Sequence, residues 1–238
     1  MDRPGQQASA EEAGPGGEAG AGVRGGYLGF VAHEVRNPLS TALWSAELLA
    51  RMSGEERAGA RGEKLIAMCL RSLGRVRQLV EDHFLCERLD ARGLPVRLEP
   101  VLLRPLLEEL RGRRAAEPPA TELAVDAAVA VEADRVLLER ALEALVAVAG
   151  RDGSAVRVEA LERGGQVSVR VSGAPAVGLT LEDPRKGSAG DSKGRALALP
   201  LARRVAAALG GTLSLQADGC VLALPASDAP GDAGGPDP

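Results

Sequence analysis

His33-Glu34-Val35-Arg36-Asn37-Pro38-Leu39 is the stretch of sequence that decides the fold. The chain has only two histidines in 238 residues, and an acid directly follows this one. Asn37 comes one helical turn later, so it shares a helix face with His33. Pro38 has no N–H to donate to the carbonyl of Glu34, which predicts a helix that bends or loosens beside the histidine.

Two long helical patterns extend outward from this stretch. Residues at spacings of three and four form one stripe in each, namely Leu28, Val31, Val35, Pro38, Ala42, Ala46 and Leu49, then Ile66, Cys69, Leu73, Val76, Val80 and His83. A short loop at residues 53–56 joins them, which predicts an antiparallel helical hairpin over residues 23–92. Because two helices bury little surface, we predict a homodimer in which two hairpins form a four-helix bundle. His33 falls off the first stripe, so we expect it to be exposed.

A second region, residues 95–226, alternates between strand and helix patterns. Strands are predicted at 96–98, 123–125, 129–131, 156–160, 167–171, 212–215 and 221–224, and helices at 103–111, 137–149 and 197–209. This order predicts a two-layer α/β sandwich, so the fold class is a helical hairpin followed by an α/β domain. The flanking residues 1–22 and 227–238 contain almost no large apolar side chains, which predicts disorder.

The composition restricts the compartment and the partners. The net charge of -4 argues against nucleic acid as the main partner. No apolar run is long enough for a membrane span and no signal segment opens the chain, so we expect a soluble, cytoplasmic protein with no membrane partner. The three cysteines, Cys69, Cys86 and Cys220, have no ligand-like spacing and are interpreted as reduced packing residues, with no metal site.

The seven-residue stretch resembles the phosphoacceptor box of two-component histidine kinases. The order of a hairpin and an α/β domain is similar to that family's dimerisation-and-phosphotransfer domain followed by its ATPase-type domain, over residues 25 to 225. The resemblance implies that His33 carries a phosphoryl group, and a neutral imidazole is a good nucleophile toward phosphorus. Glu34 either accepts the ring proton or fixes the tautomer, or it is an ordinary surface acid. Asn37 either orients a water that removes phosphate from a partner's aspartyl phosphate, or is a simple polar residue before the kink.

The nucleotide-binding boxes depart from the family pattern. Alkyl groups replace the two asparagines of a box that supplies a magnesium ligand, and they cannot bind a hard cation. A glycine replaces the aspartate that bonds adenine, and most glycines of the two glycine-rich boxes are replaced as well. The departing positions are Ala144, Val148, Gly173, Pro175, Val177, Ala196 and Ala198, whereas Arg151 keeps the basic residue that usually follows the first box. The resemblance thus implies an ATPase-type fold without its ATP chemistry.

Three functional hypotheses follow from the sequence. The first is a phosphorelay phosphotransferase whose His33 exchanges phosphate with receiver-domain aspartates of response regulators. It needs no cofactor of its own, and the receiver supplies Mg²⁺. The second is an active cytoplasmic histidine kinase with a divergent site for ATP and Mg²⁺, which Glu34 favours. The third is a non-catalytic dimer that regulates a kinase or a receiver.

Overall fold

The computed structural model of the protein describes residues 16–113, 120–183 and 197–227, with side chains from residue 29 onward. The first unit is a helical hairpin. Its long helices are α1 (Gly16–Arg51) and α3 (Ala60–Asp90), with the short α2 (Gly54–Ala58) between them. The expected loop at residues 53–56 is therefore the start of a helix. Ser53 caps it, accepting from the Glu56 N–H at 3.3 Å while Glu56 accepts from the Ser53 N–H at 2.8 Å.

The buried stripe of α3 differs from the predicted one. Its buried residues are Gly62, Leu65, Leu79, Asp82 and Cys86. Ile66, Leu73 and Val80, which the pattern placed inside, are exposed. The seam that packs on α1 thus lies about one residue around the helix from the predicted stripe. On α1 the same shift makes Ser45 buried and Ala46 exposed, whereas Val31 and Ala42 are buried as predicted.

The second unit is the α/β sandwich that the sequence predicted. Its main sheet has the order β2-β4-β5-β7-β6, and the strands are β2 (Thr121–Ala124), β4 (Val156–Arg163), β5 (Gln166–Ser172), β6 (Thr212–Gln216) and β7 (Gly219–Pro225). All neighbours pair antiparallel except β2 and β4, which are parallel. A second pair joins β1 (Glu99–Leu102) to β3 (Ala130–Ala133). The helices are α4 (Leu103–Arg113), α5 (Arg135–Ala149) and α6 (Ala198–Ala208).

Alternating side chains explain why the sheet and helices pack as two layers. Val167, Val169 and Val171 of β5 are fully buried, as period-two alternation requires. Gly164 and Gly165 both have positive φ and close the β4–β5 hairpin with Arg163 opposite Gln166. One face of α5 covers the sheet with Leu138, Ala141, Leu142, Leu145 and Val146, the five residues predicted for it. The predicted strand at residues 96–98 is wrong, because the strand begins at Glu99.

The ends of the chain are described only in part. Helix α1 begins at Gly16, inside the stretch 1–22 for which the sequence predicted disorder, and residues 1–15 lie outside the described residues. Ser227 donates to Glu132 at 2.9 Å, so it is tied to β3, and residues 228–238 also lie outside. None of the helices in the described ranges combines the length and apolar content that a bilayer crossing requires.

All three cysteines lie in the described residues, and no disulfide joins any of them, in agreement with their interpretation as reduced residues. Cys86 and Cys220 belong to the apolar core, whereas Cys69 is half-buried. Burial raises the pKa of the Cys220 thiol to about 11, so this thiol stays protonated and behaves as a packing group.

Candidate functional site

Helix α1 presents His33 to solvent. His33 and Asn37 are both exposed, and their spacing of four residues puts them on one face of the helix. Glu34 turns away from that face and is only 6% exposed. The structure therefore brings the histidine and the amide together on an open surface, and it places the acid that was expected to serve the imidazole in a buried position.

The backbone around this surface accommodates Pro38 without ending the helix. α1 continues through Pro38, whose missing N–H leaves the carbonyl of Glu34 without its usual helical donor. Thr41 donates its hydroxyl to the Asn37 carbonyl at 3.2 Å, and buried Ser45 donates to the Thr41 carbonyl at 2.8 Å. The turns that follow the proline are thus held partly by side-chain hydroxyls.

The sandwich docks on the hairpin beside this surface. Leu197, at the start of α6, is 1% exposed and packs in a cluster with Phe30, Val31 and Leu79. Val31 precedes His33 by two residues. Val35, which follows His33 by two residues, packs against the same cluster. The apolar contact between the two units therefore lies immediately next to the histidine.

An ion pair forms a second contact between the two units. Arg140 of α5 forms an ion pair with Asp82 of α3, and Asp82 is only 8% exposed. Glu143 lies 3.5 Å and Glu81 3.8 Å from the same guanidinium. Burial raises the pKa of the Asp82 carboxyl, and the positive charges of Arg140 and Arg75 oppose that rise only in part.

A third contact joins α6 to the end of α3. Arg204 donates to Asp90 at 2.8 Å and makes a two-pronged contact with Asp183 at 2.7 and 2.6 Å. The hydrogen bond to Asp183 is the main cause that raises the pKa of the Arg204 guanidinium. Sequence analysis missed both ionic contacts, because the partners are separated by 58 and 114 residues and none of them stands in a recognisable motif.

Three of the positions predicted to have lost nucleotide ligands, Ala144, Val148 and Gly173, lie in or against the core. Ala144 and Val148 are buried members of the apolar cluster. A Cβ atom on Gly173 would lie 2.5 Å from the carbonyl oxygen of Ala149, a distance that real Cβ atoms do not adopt. The backbone has closed there, since the Ala174 N–H donates to that same carbonyl at 2.8 Å. The end of β5 therefore has no room for an aspartate.

The remaining positions of these boxes differ from one another in burial and contacts. Arg151, the retained basic residue, donates to the carbonyls of Pro175 and Val148. Val177 is 86% exposed, and Ala198 is buried at the start of α6. Ala196 lies outside the described residues. Among the residues that the structure does describe, no group of three or more His, Cys, Asp or Glu side chains is arranged to hold a metal ion.

Comparisons with known proteins agree with the resemblance seen in the sequence. Residues 24–92 match the family of the His Kinase A (phospho-acceptor) domain. No match was found among curated protein sequences. The fold is similar to that of the Acinetobacter baumannii histidine kinase AdeS, with a TM-score of 0.62 at 18% identity, over 82% of this chain and 98% of that one.

A second solved structure shares the fold as well. Full-length ShkA in complex with AMPPNP has a TM-score of 0.51 at 23% identity, over 85% of this chain and 46% of that chain. These likenesses establish the hairpin followed by the ATPase-type α/β domain. The family match covers the hairpin, residues 24–92, and the likeness to AdeS shows that the fold of both units together is shared with a histidine kinase.

Proposed function

We propose that this chain is a histidine phosphotransferase of the two-component histidine kinase family. His33 would exchange a phosphoryl group with receiver-domain aspartates of response regulators, and the chain would have no ATP-dependent autokinase activity of its own. One observation carries the proposal, namely an exposed His33 in the same chain as a Gly173 position that cannot hold a side chain. The imidazole is accessible, whereas backbone fills the space at the position where the resemblance places the family's adenine-binding aspartate.

The chemistry requires little beyond an accessible imidazole. The unprotonated ring nitrogen of His33 attacks the phosphorus of an aspartyl phosphate, an N–P bond forms, and the P–O bond to the aspartyl carboxylate breaks. The electron pair of the broken bond stays on the carboxylate, and the proton on the other ring nitrogen is free to leave to solvent. Mg²⁺ held by the receiver offsets the charge on the phosphoryl oxygens. The return of phosphate to a receiver is the same step in reverse.

Asn37 supports a role on the same surface. Its amide shares the open face with His33, so a receiver docked over the histidine would also meet this amide. In this proposal Asn37 orients a water that hydrolyses the partner's aspartyl phosphate. The buried position of Glu34 favours a structural part for that acid, because an acid that serves solvent-facing chemistry has to reach the reacting group.

The hairpin also supports a homodimer. Large apolar side chains of α1 and α3 remain exposed in the single chain: Leu39, Leu43, Ile66, Leu70, Leu73, Val80 and Phe84. Ile66, Leu73 and Val80 recur every seven residues, the spacing of a helix–helix seam. We name these seven residues the open apolar face, and we propose that a second copy of the hairpin covers it to form a four-helix bundle.

Transfer of label from a phosphorylated receiver domain tests the phosphotransferase function. Purified protein is mixed with several ³²P-labelled receivers and Mg²⁺, and the label on the chain is followed. We expect transfer with the unaltered chain and with His83→Ala, which removes the other histidine, and none with His33→Ala. Labelling that survives His33→Ala, or that is absent with every receiver, overturns the proposal.

A second candidate is an ATP-dependent kinase with a divergent site. The likeness of the whole fold to that of histidine kinases favours it, and Arg151 keeps the family's basic residue beside the first box. Titration calorimetry with ATP and Mg²⁺ separates the two candidates. Saturable binding of ATP that requires Mg²⁺ would favour the kinase, and the absence of any Mg²⁺-dependent binding at millimolar ATP would exclude it.

A further inference from the structure

A cavity of about 510 Å³ lies where the end of α3, the segment that leaves it and the second half of α6 meet. We call it the junction cavity. It is remote in sequence from His33 and from the box positions Ala144, Val148 and Gly173, whereas its α6 residues begin five positions after Ala198. Its volume is in the range that encloses small organic ligands. Its wall includes four arginines, Arg88, Arg92, Arg203 and Arg204, and one acid, Asp90.

The charge of this wall is unlike that of the chain as a whole. Four arginines and one aspartate leave an excess of three positive charges, in a protein whose net charge is -4. Arg204 forms ion pairs with Asp90 and Asp183. Arg88, Arg92 and Arg203 are exposed and have no ion-pair partner within the described parts of the chain. Three guanidinium groups thus line one cavity without an ion-pair partner among the residues that the structure describes.

Helix ends alone do not account for these arginines. Basic residues near a helix C-terminus often bond its last carbonyls. Here backbone N–H groups already fill that role: Ala91, Arg92 and Gly93 donate to the last turn of α3, and Leu209, Gly210 and Gly211 donate to the last turn of α6. The guanidinium groups of Arg88, Arg92 and Arg203 remain available for another acceptor.

The other part of the wall is apolar. Leu89, Leu94 and Val96 line the cavity and are half-buried, and Ala207 and Ala208 of α6 complete it. An inorganic anion would satisfy the arginines and leave this apolar surface in water. A ligand with an anionic end and an apolar or aromatic body would cover both parts, and forked guanidinium groups suit the oxygens of a phosphate.

We propose that the junction cavity binds an organic phosphate of about mononucleotide size, with its phosphate against Arg88, Arg92 and Arg203 and its body against Leu94 and Val96. The site lies between the two units, next to the contact of Arg204 with Asp90. Binding there strengthens the contact between the hairpin and the sandwich. This inference does not depend on which direction phosphate flows at His33, or on whether His33 carries phosphate at all.

Titration calorimetry on the full chain at constant ionic strength tests the inference with three probes: AMP, phenyl phosphate and inorganic phosphate. We expect saturable binding of one AMP or one phenyl phosphate per chain, and at least about tenfold weaker binding of inorganic phosphate. Arg88→Gln with Arg203→Gln should weaken AMP binding by about a hundredfold, since each charge-assisted bond contributes roughly one decade. Ala207→Glu puts a carboxylate at an exposed helix position of the wall and should also weaken binding.

Arg163→Gln is the matched control, because it removes the same charge at the β4–β5 turn, outside the cavity wall. It should bind AMP as the unaltered chain does. Circular dichroism checks that every variant keeps its helix content. The inference is overturned if neither organic phosphate binds, if the double variant binds AMP as tightly as the unaltered chain, or if inorganic phosphate binds as tightly as phenyl phosphate.

Discussion

The hairpin and the sandwich differ in how much of their apolar surface is buried within the single chain. The sandwich buries nearly all of its large apolar side chains in one core, whereas the hairpin leaves the open apolar face in contact with water. The sandwich also closes its backbone over Gly173, whereas the hairpin leaves His33 and Asn37 exposed. The single chain thus leaves apolar surface uncovered mainly on the hairpin. This difference supports the proposals that place the dimer seam and phosphotransfer on the hairpin.

The largest expected effect is on the open apolar face. Leu70→Glu with Leu73→Glu places two carboxylates at the proposed seam between hairpins, where charge burial is prohibitive. We expect the dimer to dissociate into monomers, measured by light scattering on a gel-filtration column.

Leu161→Glu is the matched control for that double substitution. Leu161 is as exposed as Leu70, but it lies on β4 of the sandwich, so the dimer should persist. A chain that is monomeric before any substitution, or a dimer that survives both glutamates, would break the comparison between the two units.

The second-largest effect is expected at Gly173, directly after the end of β5. Gly173→Asp introduces an acid where the resemblance places the family's aspartate, yet its Cβ would lie 2.5 Å from the Ala149 carbonyl oxygen. We expect the substitution to lower the free energy of unfolding by about 1–3 kcal/mol through overpacking and to restore no binding of ATP. Thermal unfolding and calorimetry measure the two results. Gly112→Asp, at an open position of α4, should be close to neutral. ATP binding by the Gly173→Asp chain would show that the ATP site of the sandwich lacks only this one side chain.

A smaller effect concerns the turn of the hairpin. Ser53→Ala removes the capping box at the start of α2 and should lower the free energy of unfolding by about 1 kcal/mol. Ser40→Ala removes a hydroxyl from the exposed interior of α1, where alanine favours the helix, and should cost nothing. Urea unfolding followed by circular dichroism compares the two variants. Equal stabilities would mean that the cap contributes nothing to the hairpin.

The smallest effect tests the ionic contact between the two units. Because burial raises the pKa of Asp82 above its usual value of 3.8, the fold favours the protonated acid. The stability that the folded state gains from protonated Asp82 is fully present below that usual value. It is lost as pH rises through the raised pKa. Asp82→Asn cannot titrate, so its melting temperature should fall less than that of the unaltered chain as pH rises from 4 to neutral.

Glu81→Gln removes an exposed neighbouring charge and serves as the control for Asp82→Asn. It should keep the pH dependence of the unaltered chain. If Asp82→Asn and the unaltered chain lose stability in parallel over this pH range, the titration of Asp82 does not govern the contact.

Local signals in the sequence were enough to predict most of the fold. The Gly164-Gly165 turn, the Gly210 stop and the alternation along β5 lie where the pattern placed them, because each depends on neighbours in the chain. The buried seam of α3 was displaced by about one residue. Helices of a bundle can carry two apolar stripes, and spacing alone does not say which stripe packs within the hairpin and which stays open.

The candidate site was predictable where a motif carried it and not where packing did. The setting of His33 and the alkyl side chains of Ala144 and Val148, where the resemblance implies magnesium-binding asparagines, are visible in the sequence. The burial of Glu34 and the pairing of Asp82 with Arg140 depend on how two distant segments meet. Nor could the glycine at position 173 reveal from its identity alone that the backbone has also closed around it.

Side-by-side labelling from two donors tests the central claim most directly. The purified chain is incubated with γ-³²P ATP and Mg²⁺ in one reaction and with a ³²P-labelled receiver domain and Mg²⁺ in another, each beside His33→Ala. The account predicts label from the receiver alone, lost in the variant. Label on His33 from ATP would contradict it, and would mean that the sandwich binds ATP despite the closed backbone at Gly173.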